Sequence, residues 1–156
     1  LDPASALLII LLGAIPFFEA RYAIPAALLS GYPPPEAFLL ALAGNLLPVV
    51  PLLLLLEPVS GFLIRNSSLF DRFFRWLFDR TRRKMEGREQ LGAVGLFLFV
   101  AVPLPMTGAW SGCAAAFVFG IPFRYALPAI VLGTVAAALV TSLPTLGILT
   151  IIGGGP

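Results

Sequence analysis

Two opposite charges stand alone in the first part of the chain. Glu19 and Arg21 are the only charged residues between Pro3 and Pro35, and they sit in an apolar segment. A charge at the centre of a bilayer costs about 3 kcal/mol or more, so ionisable residues there usually face a cavity and mark a transport path. Glu19 is able to take up and release a proton. Arg21 keeps its charge, and can hold an anion or pair with Glu19. Residues i and i+2 of a regular helix point about 200° apart, so a direct pair requires non-helical backbone between 17 and 22. A buried ion pair that merely fixes this turn is the bland alternative, and the placement favours function over it.

The second candidate stretch is Pro103-Leu-Pro-Met-Thr-Gly-Ala-Trp-Ser-Gly112. Pro103 and Pro105 prevent a continuous helix here. Thr107, Gly108 and Ser111 then offer hydroxyls and bare backbone at the start of a half-helix, whose unpaired N–H groups suit an anion. Trp110 either walls a cavity or packs, and packing is slightly favoured. Asn45 lies deep in an uncharged run and needs a hydrogen-bond partner there. Gly44 and Gly133 would let helices approach closely, and Pro48 and Pro51 are expected to kink the run near the same depth. Cys113 is expected to be a small core residue.

Enzyme chemistry is not indicated. The chain has no histidine and no Gly-rich phosphate loop, and Glu19 is its single deep carboxylate. No acid/base couple, metal cluster or cofactor is therefore expected. Eight of the ten basic residues lie between Arg65 and Arg88, which argues against nucleic acid as a partner.

The elements that hold these residues belong in a membrane. Hydrophobic residues make up 59% of the 156 and charged ones 12%, about half the charged share of a soluble domain. Ala37 to Leu56 is a 20-residue uncharged run, Gln90 to Phe123 one of 34, and Tyr125 to Pro156 one of 32. About 20 apolar residues suffice to span a bilayer as a helix. The segment Ala4 to Ser30 is apolar too, but Pro16, Glu19, Arg21 and Pro25 interrupt it. Leu7 to Leu12 is expected to belong to the mature protein, since no positive stretch precedes it.

A broken apolar segment, a Gly-x-Pro turn and a continuous run occur twice. Gly31, Pro33, Ala37 and Gly44 each match the same residue type 89 positions later, at Gly120, Pro122, Ala126 and Gly133, and Pro16 matches Pro103 at 87. The arms of each broken segment are about 15–18 Å long as helices, half of a 30 Å core. The expected fold is therefore an all-α integral membrane protein of one domain with two inverted repeats, 4–57 and 91–152. Each repeat is a re-entrant helical hairpin, with breakers Pro16 and Pro25 or Pro103 and Pro105, followed by a transmembrane helix. The positive-inside rule puts the basic loop 58–90 in the cytoplasm, with Arg124 on the same side.

That loop carries an amphipathic helix. Ser68-x-x-Asp71 reads as a capping box. Leu69, Phe70, Phe73, Phe74 and Leu77 line one face, opposite Arg72, Arg75, Asp79, Arg82 and Arg83. Asp71/Arg75 and Asp79/Arg83 have favourable spacing. Such a helix, with Trp76 beside it, should lie in the interface against anionic lipid headgroups.

Glu19-Ala-Arg-Tyr-Ala-Ile-Pro25, Gly44-Asn-Leu-Leu-Pro48, Phe97-Leu-Phe-Val-Ala-Val-Pro-Leu-Pro105 and Thr107-Gly-Ala-Trp-Ser-Gly112 resemble the small multi-drug export protein family. The likeness runs in order over roughly residues 13 to 147. Tyr22 stands where the family pattern leads one to expect glycine, leaving less room at that turn. The resemblance implies a multi-pass protein of a bacterial or archaeal inner membrane that exports small molecules. The arrangement is also similar to DedA-like membrane proteins, which implies paired re-entrant hairpins and proton-coupled movement of lipid or lipid-phosphate headgroups.

The reading that follows is an ion- or proton-coupled exporter with a midplane site. Glu19 would couple protons, and Arg21, Asn45, Thr107, Gly108, Trp110 and Ser111 would meet substrate or counter-ion. A lipid or polyprenyl-phosphate flippase and a non-transporting scaffold docking through residues 69–85 are the alternatives. Two spans barely enclose a path, so a homodimer or larger assembly is expected.

Overall fold

Proline and glycine divide the apolar chain into helices. The computed structural model describes residues 2–16, 18–104 and 107–152, the side chains of 149–152 excepted. In order come α1 (Pro3–Ala14), α2 (Glu19–Leu29), α3 (Pro34–Leu46), α4 (Val49–Asn66), α5 (Ser68–Met85), α6 (Glu89–Ala101), α7 (Ala109–Phe119) and α8 (Phe123–Ile152). No strand occurs among the described residues. The chain breaks beside Pro16 and at Pro103, as expected, while Pro105 lies outside the described residues.

Pro25 does not break the chain. It lies inside α2, where it removes the donor that would have met the Arg21 carbonyl. The helix continues because Ala23, Ile24 and Ala27 around it are fully packed. Pro58 in α4 and Pro128 and Pro144 in α8 are accommodated inside helices too.

Among the described residues, two helical segments are long and apolar enough to cross a membrane. Leu47 and Pro48 keep right-handed helical dihedrals between α3 and α4, so Pro34–Asn66 forms a 33-residue segment that contains an 18-residue stretch of mean hydropathy 2.4. It runs past Leu56 and carries Glu57 and Arg65 with it. The other is Phe123–Ile148, 26 residues with an 18-residue stretch at 2.1. Their lengths are about 50 and 39 Å at 1.5 Å per residue, more than the ~30 Å of hydrocarbon. Leu54, Val59 and Phe62 on α4 and Leu132 and Leu143 on α8 are more than half exposed. Outer faces this apolar suit lipid as their solvent.

The shorter helices fold back in pairs. The Tyr32 hydroxyl, just beyond α2, lies 2.7 Å from Ser5 Oγ and donates to the Asp2 carbonyl at 3.3 Å. The end of α2 therefore returns to the start of α1. Ile121, just beyond α7, packs within 3.4 Å of where a Cβ on Gly92 of α6 would stand, so the second pair returns as well.

Each pair leans on a long helix through glycine. A Cβ on Gly44 would fall on the Ile10 carbonyl of α1, and one on Gly133 would stand 2.8 Å from Val100 Cβ and 2.9 Å from the Phe97 carbonyl of α6. Gly44→Ala is expected to lose about 1–3 kcal/mol through overpacking, measured by chemical unfolding in mixed micelles. Gly95→Ala meets nothing within 4 Å and should stay within about 0.5 kcal/mol of wild type. Equal stability of the two variants would contradict the close approach.

The buried side chains form two clusters. One joins α1, α2 and α3 with Ala138 of α8. The other joins α4, α6, α7 and the first half of α8, with Cys113 fully buried in it. Helix α8 thus ties the two halves together.

Helix α5 docks on the C-terminal end of α7. Phe74 and Phe78 meet the Phe117 ring at centroid distances of 6.2 and 5.4 Å. Thr81 Oγ1 lies 2.7 Å from the Val118 carbonyl, and Arg82 donates to the Phe117 carbonyl at 3.0 Å while lying 3.9 Å over the Phe78 ring. Arg82 therefore belongs to the packed side of the helix, not the solvated face assigned from spacing. The last carbonyls of α7 need donors, and a guanidinium supplies them. Ser68-x-x-Asp71 does not form a capping box either. Ser67 is the N-cap, without a side-chain bond, and Asp71 instead accepts from Arg75 Nε at 2.7 Å. The Asp79–Arg83 pair forms at 3.5 Å. Leu69, Phe73 and Trp76 remain more than half exposed.

Candidate functional site

The two helix breaks meet. Glu19 opens α2 with φ 52°, the only positive φ outside glycine among the described residues. A left-handed glutamate costs about 1–3 kcal/mol and persists only where its surroundings impose it. Here the turn satisfies the geometric condition for pairing at i, i+2. Arg21 Nη2 lies 3.5 Å from Glu19 Oε2, with the side chains 18% and 8% exposed.

The second break supplies the remaining contacts. The Glu19 carboxylate lies against the first turn of α7, beside the backbone N–H groups of Ala109 and Trp110. These are first-turn donors of α7, which have no partner inside the helix. Glu19 is thus the anion at the N-terminus of α7, where unpaired N–H groups and positive partial charge favour one. Gly108 makes this possible, because a Cβ there would coincide with the carboxylate. Arg21 reaches the same loop. It donates to the Thr107 carbonyl at 2.6 Å and, through Nη1, to the Leu104 carbonyl.

Several side chains hold this arrangement in place. Thr107 Oγ1 donates to the Val102 carbonyl at 2.6 Å and accepts from Leu104 N–H at 3.1 Å, so its hydroxyl is spent within the loop. Ser111 Oγ accepts from Gly108 N–H at 2.8 Å. Trp110 Nε1 donates to the Ala14 carbonyl at 3.0 Å, satisfying an orphan acceptor at the end of α1. Tyr22 points outward, 57% exposed, with its ring 5.6 Å from Phe18. It does not narrow the site.

Glu19, Arg21, Asn45, Thr107 and Gly108 line one small cavity of about 10 Å³, the room of a single water. Trp110 and Ser111 stand beside it without lining it. Thr134 and Thr141 of α8 also line the cavity; the position of Thr141 within a long uncharged run gave no sign of this. One signal did exist for Thr134, since it stands 89 positions after Asn45 in the repeat. Asn45 Oδ1 and Thr134 Oγ1 are buried without a hydrogen-bond partner, at residue exposures of 3% and 2%. A larger cleft of about 720 Å³ lies where α5 crosses α4 and α7, lined by Glu57, Asp79, Arg82, Glu86 and Glu89 among others. It shares no residue with the Glu19 cavity.

This arrangement gathers a carboxyl group, a guanidinium and the bare first turn of a helix around one small cavity. Residues 19–140 match the family model described as "Putative small multi-drug export protein", which covers the Glu19–Arg21 turn, the 102–108 loop and most of α8. The chain belongs to that family. No curated protein and no solved structure matches it. Membership and the two apolar segments make it a membrane protein of an export family.

Proposed function

We propose that this family member is a proton-coupled secondary transporter of the inner membrane. Its site would lie at mid-membrane, where two re-entrant hairpins, α1–α2 and α6–α7, touch at their tips. The observation that carries the reading is the Glu19–Arg21 pair, buried where the chain breaks meet and bonded across to α7. Non-helical backbone at membrane depth is tolerated when it is enclosed by protein or lines a cavity, and broken helices in paired repeats are characteristic of transporter sites.

The inverted arrangement is supported by matching contacts. Gly44 against Ile10 and Gly133 against Phe97 hold equivalent helix pairs, and the repeat-related Asn45 and Thr134 face one cavity. Bonds from Thr81 and Arg82 to the end of α7 support a second hairpin that returns to the side of the basic loop. That side would be cytoplasmic, with Pro33 and both termini outside.

The exposed Leu69, Phe73 and Trp76, with Arg72 and Arg80 nearby, fit an interfacial helix on anionic headgroups. Self-association would enlarge the path that two spans enclose. A lipid-moving version of the same mechanism gains support at the tips, where Phe18, Tyr22, Val102 and Leu104 are each 45–57% exposed and would let a headgroup enter sideways. The test is purified protein in proteoliposomes under an imposed pH gradient, assayed with a fluorescent-headgroup lipid and with a soluble organic cation. Gradient-dependent movement of either supports transport and selects the substrate side. Movement of neither, in vesicles shown to hold folded protein, contradicts it.

A further inference from the structure

The first turn of α7 is an anion site that the chain itself fills. Ala109 and Trp110 supply N–H donors, Gly108 leaves the approach bare, and Arg21 adds a guanidinium. The occupant is the Glu19 carboxylate, which also pairs with Arg21. Among the residues that line the same cavity are two side-chain oxygens with no partner, Asn45 Oδ1 and Thr134 Oγ1. Buried polar atoms are rarely left this way, and each such case asks for an explanation.

A neutral carboxyl differs from a carboxylate in having an O–H to donate. The first turn of α7 offers donors and attracts negative charge; Asn45 Oδ1 offers an acceptor. The cavity lining therefore offers partners to both protonation states of one side chain. We propose that protonated Glu19 leaves α7 for Asn45 and Thr134, and that the vacated turn, with Arg21, binds an external phosphate or carboxylate group.

Charge balance makes the two events one. With Glu19 ionised and paired to Arg21, the site is neutral. A proton alone leaves a net +1, and an anion alone leaves a net −1, each costly in a membrane interior. Proton and anion together restore neutrality. Arg21 is the one charged group facing Glu19 among the described residues. The loop before α7 presents carbonyls, α7 presents N–H groups, α6 presents Val100, and α3 and α8 present Asn45, Thr134 and Thr141, none of which titrates. The inference rests on the reading that Glu19 takes up a proton within the membrane, and it names the substrate class as anionic.

Trp110 reports on this turn. The chain has two tryptophans, so Trp76→Phe leaves Trp110 as the sole emitter, and the protein in phosphatidylcholine nanodiscs is titrated with inorganic phosphate at several pH values. A parallel set of nanodiscs contains phosphatidic acid. One linked proton predicts apparent affinity rising about tenfold per pH unit of acidification, and binding independent of pH in Glu19→Gln. A response to inorganic phosphate assigns a soluble anion, and one to phosphatidic acid alone assigns a headgroup. A pH-independent response of the Trp76→Phe protein, or none to either probe at any pH, overturns the proposal whether or not Glu19→Gln folds. Anion binding without gradient-driven transport would leave the site standing and remove the transporter. Proton-coupled transport without anion binding would do the reverse.

Discussion

Arg21→Met is expected to destabilise the folded protein by about 3–5 kcal/mol, because it strips a buried ion pair of one partner. The guanidinium bonds to the Leu104 and Thr107 carbonyls and pairs with Glu19, so its loss loosens one tip from the other. It also leaves the Glu19 carboxylate as an uncompensated charge, 6% exposed. The second effect should dominate, and a second substitution separates them. Glu19→Gln added to Arg21→Met removes the orphaned charge and should recover half or more of the loss, an interaction of about 1.5–3 kcal/mol. Chemical unfolding in mixed micelles gives both values. Strict additivity of the two variants would mean that the residues do not communicate.

The second large effect is functional. Glu19→Gln should reduce gradient-driven transport about a hundredfold or more while leaving the protein folded. The amide cannot carry a proton, yet its oxygen can still accept from the Ala109 and Trp110 N–H groups. Arg21 retains its two carbonyl acceptors, so the remaining structural cost is that of an unneutralised guanidinium. Flux in proteoliposomes under an imposed pH gradient is the measurement, with the folded state verified by unfolding in micelles. A scaffold that docked through α5 would behave oppositely, losing its activity when residues 69–85 are deleted and keeping it in Glu19→Gln. Undiminished flux in the variant would end the proton-coupling role.

The charges that matter could be read from the sequence because the membrane makes them conspicuous. Two ionised residues among some thirty apolar ones carry their own explanation, and Pro16 and Pro103 mark the breaks that the structure displays. The arm lengths were legible for the same reason, since hydrophobicity and prolines set them locally. What lay hidden was every contact between the halves. Glu19 meets α7 about ninety positions downstream, and no periodicity encodes that meeting. The anion-ready turn was visible at Gly108, but its occupant was not.

Pro25 misled because proline breaks a helix only when packing fails to compensate, and the alanines around it compensate. Arg82 misled because spacing on α5 separates charged from apolar positions without knowing that the α7 carbonyls lie beside it. Thr134 is an ordinary hydroxyl in a run that also contains Thr141 and Thr145. Both of those donate to carbonyls of their own helix. Only the structure distinguishes the threonine left without a partner.

Cysteine accessibility tests the central claim most directly, that both broken segments enter the membrane and turn back. Single cysteines at Pro33, Arg124 and positions near each terminus, in a Cys113→Ala background, would be labelled with a membrane-impermeant maleimide from either side of oriented vesicles. Re-entrant hairpins predict that Arg124 labels from the side of the basic loop, while Pro33 and both termini label from the other. Labelling of Arg124 from the side of Pro33, with both termini on the side of the loop, would mean four ordinary spans and would contradict the account.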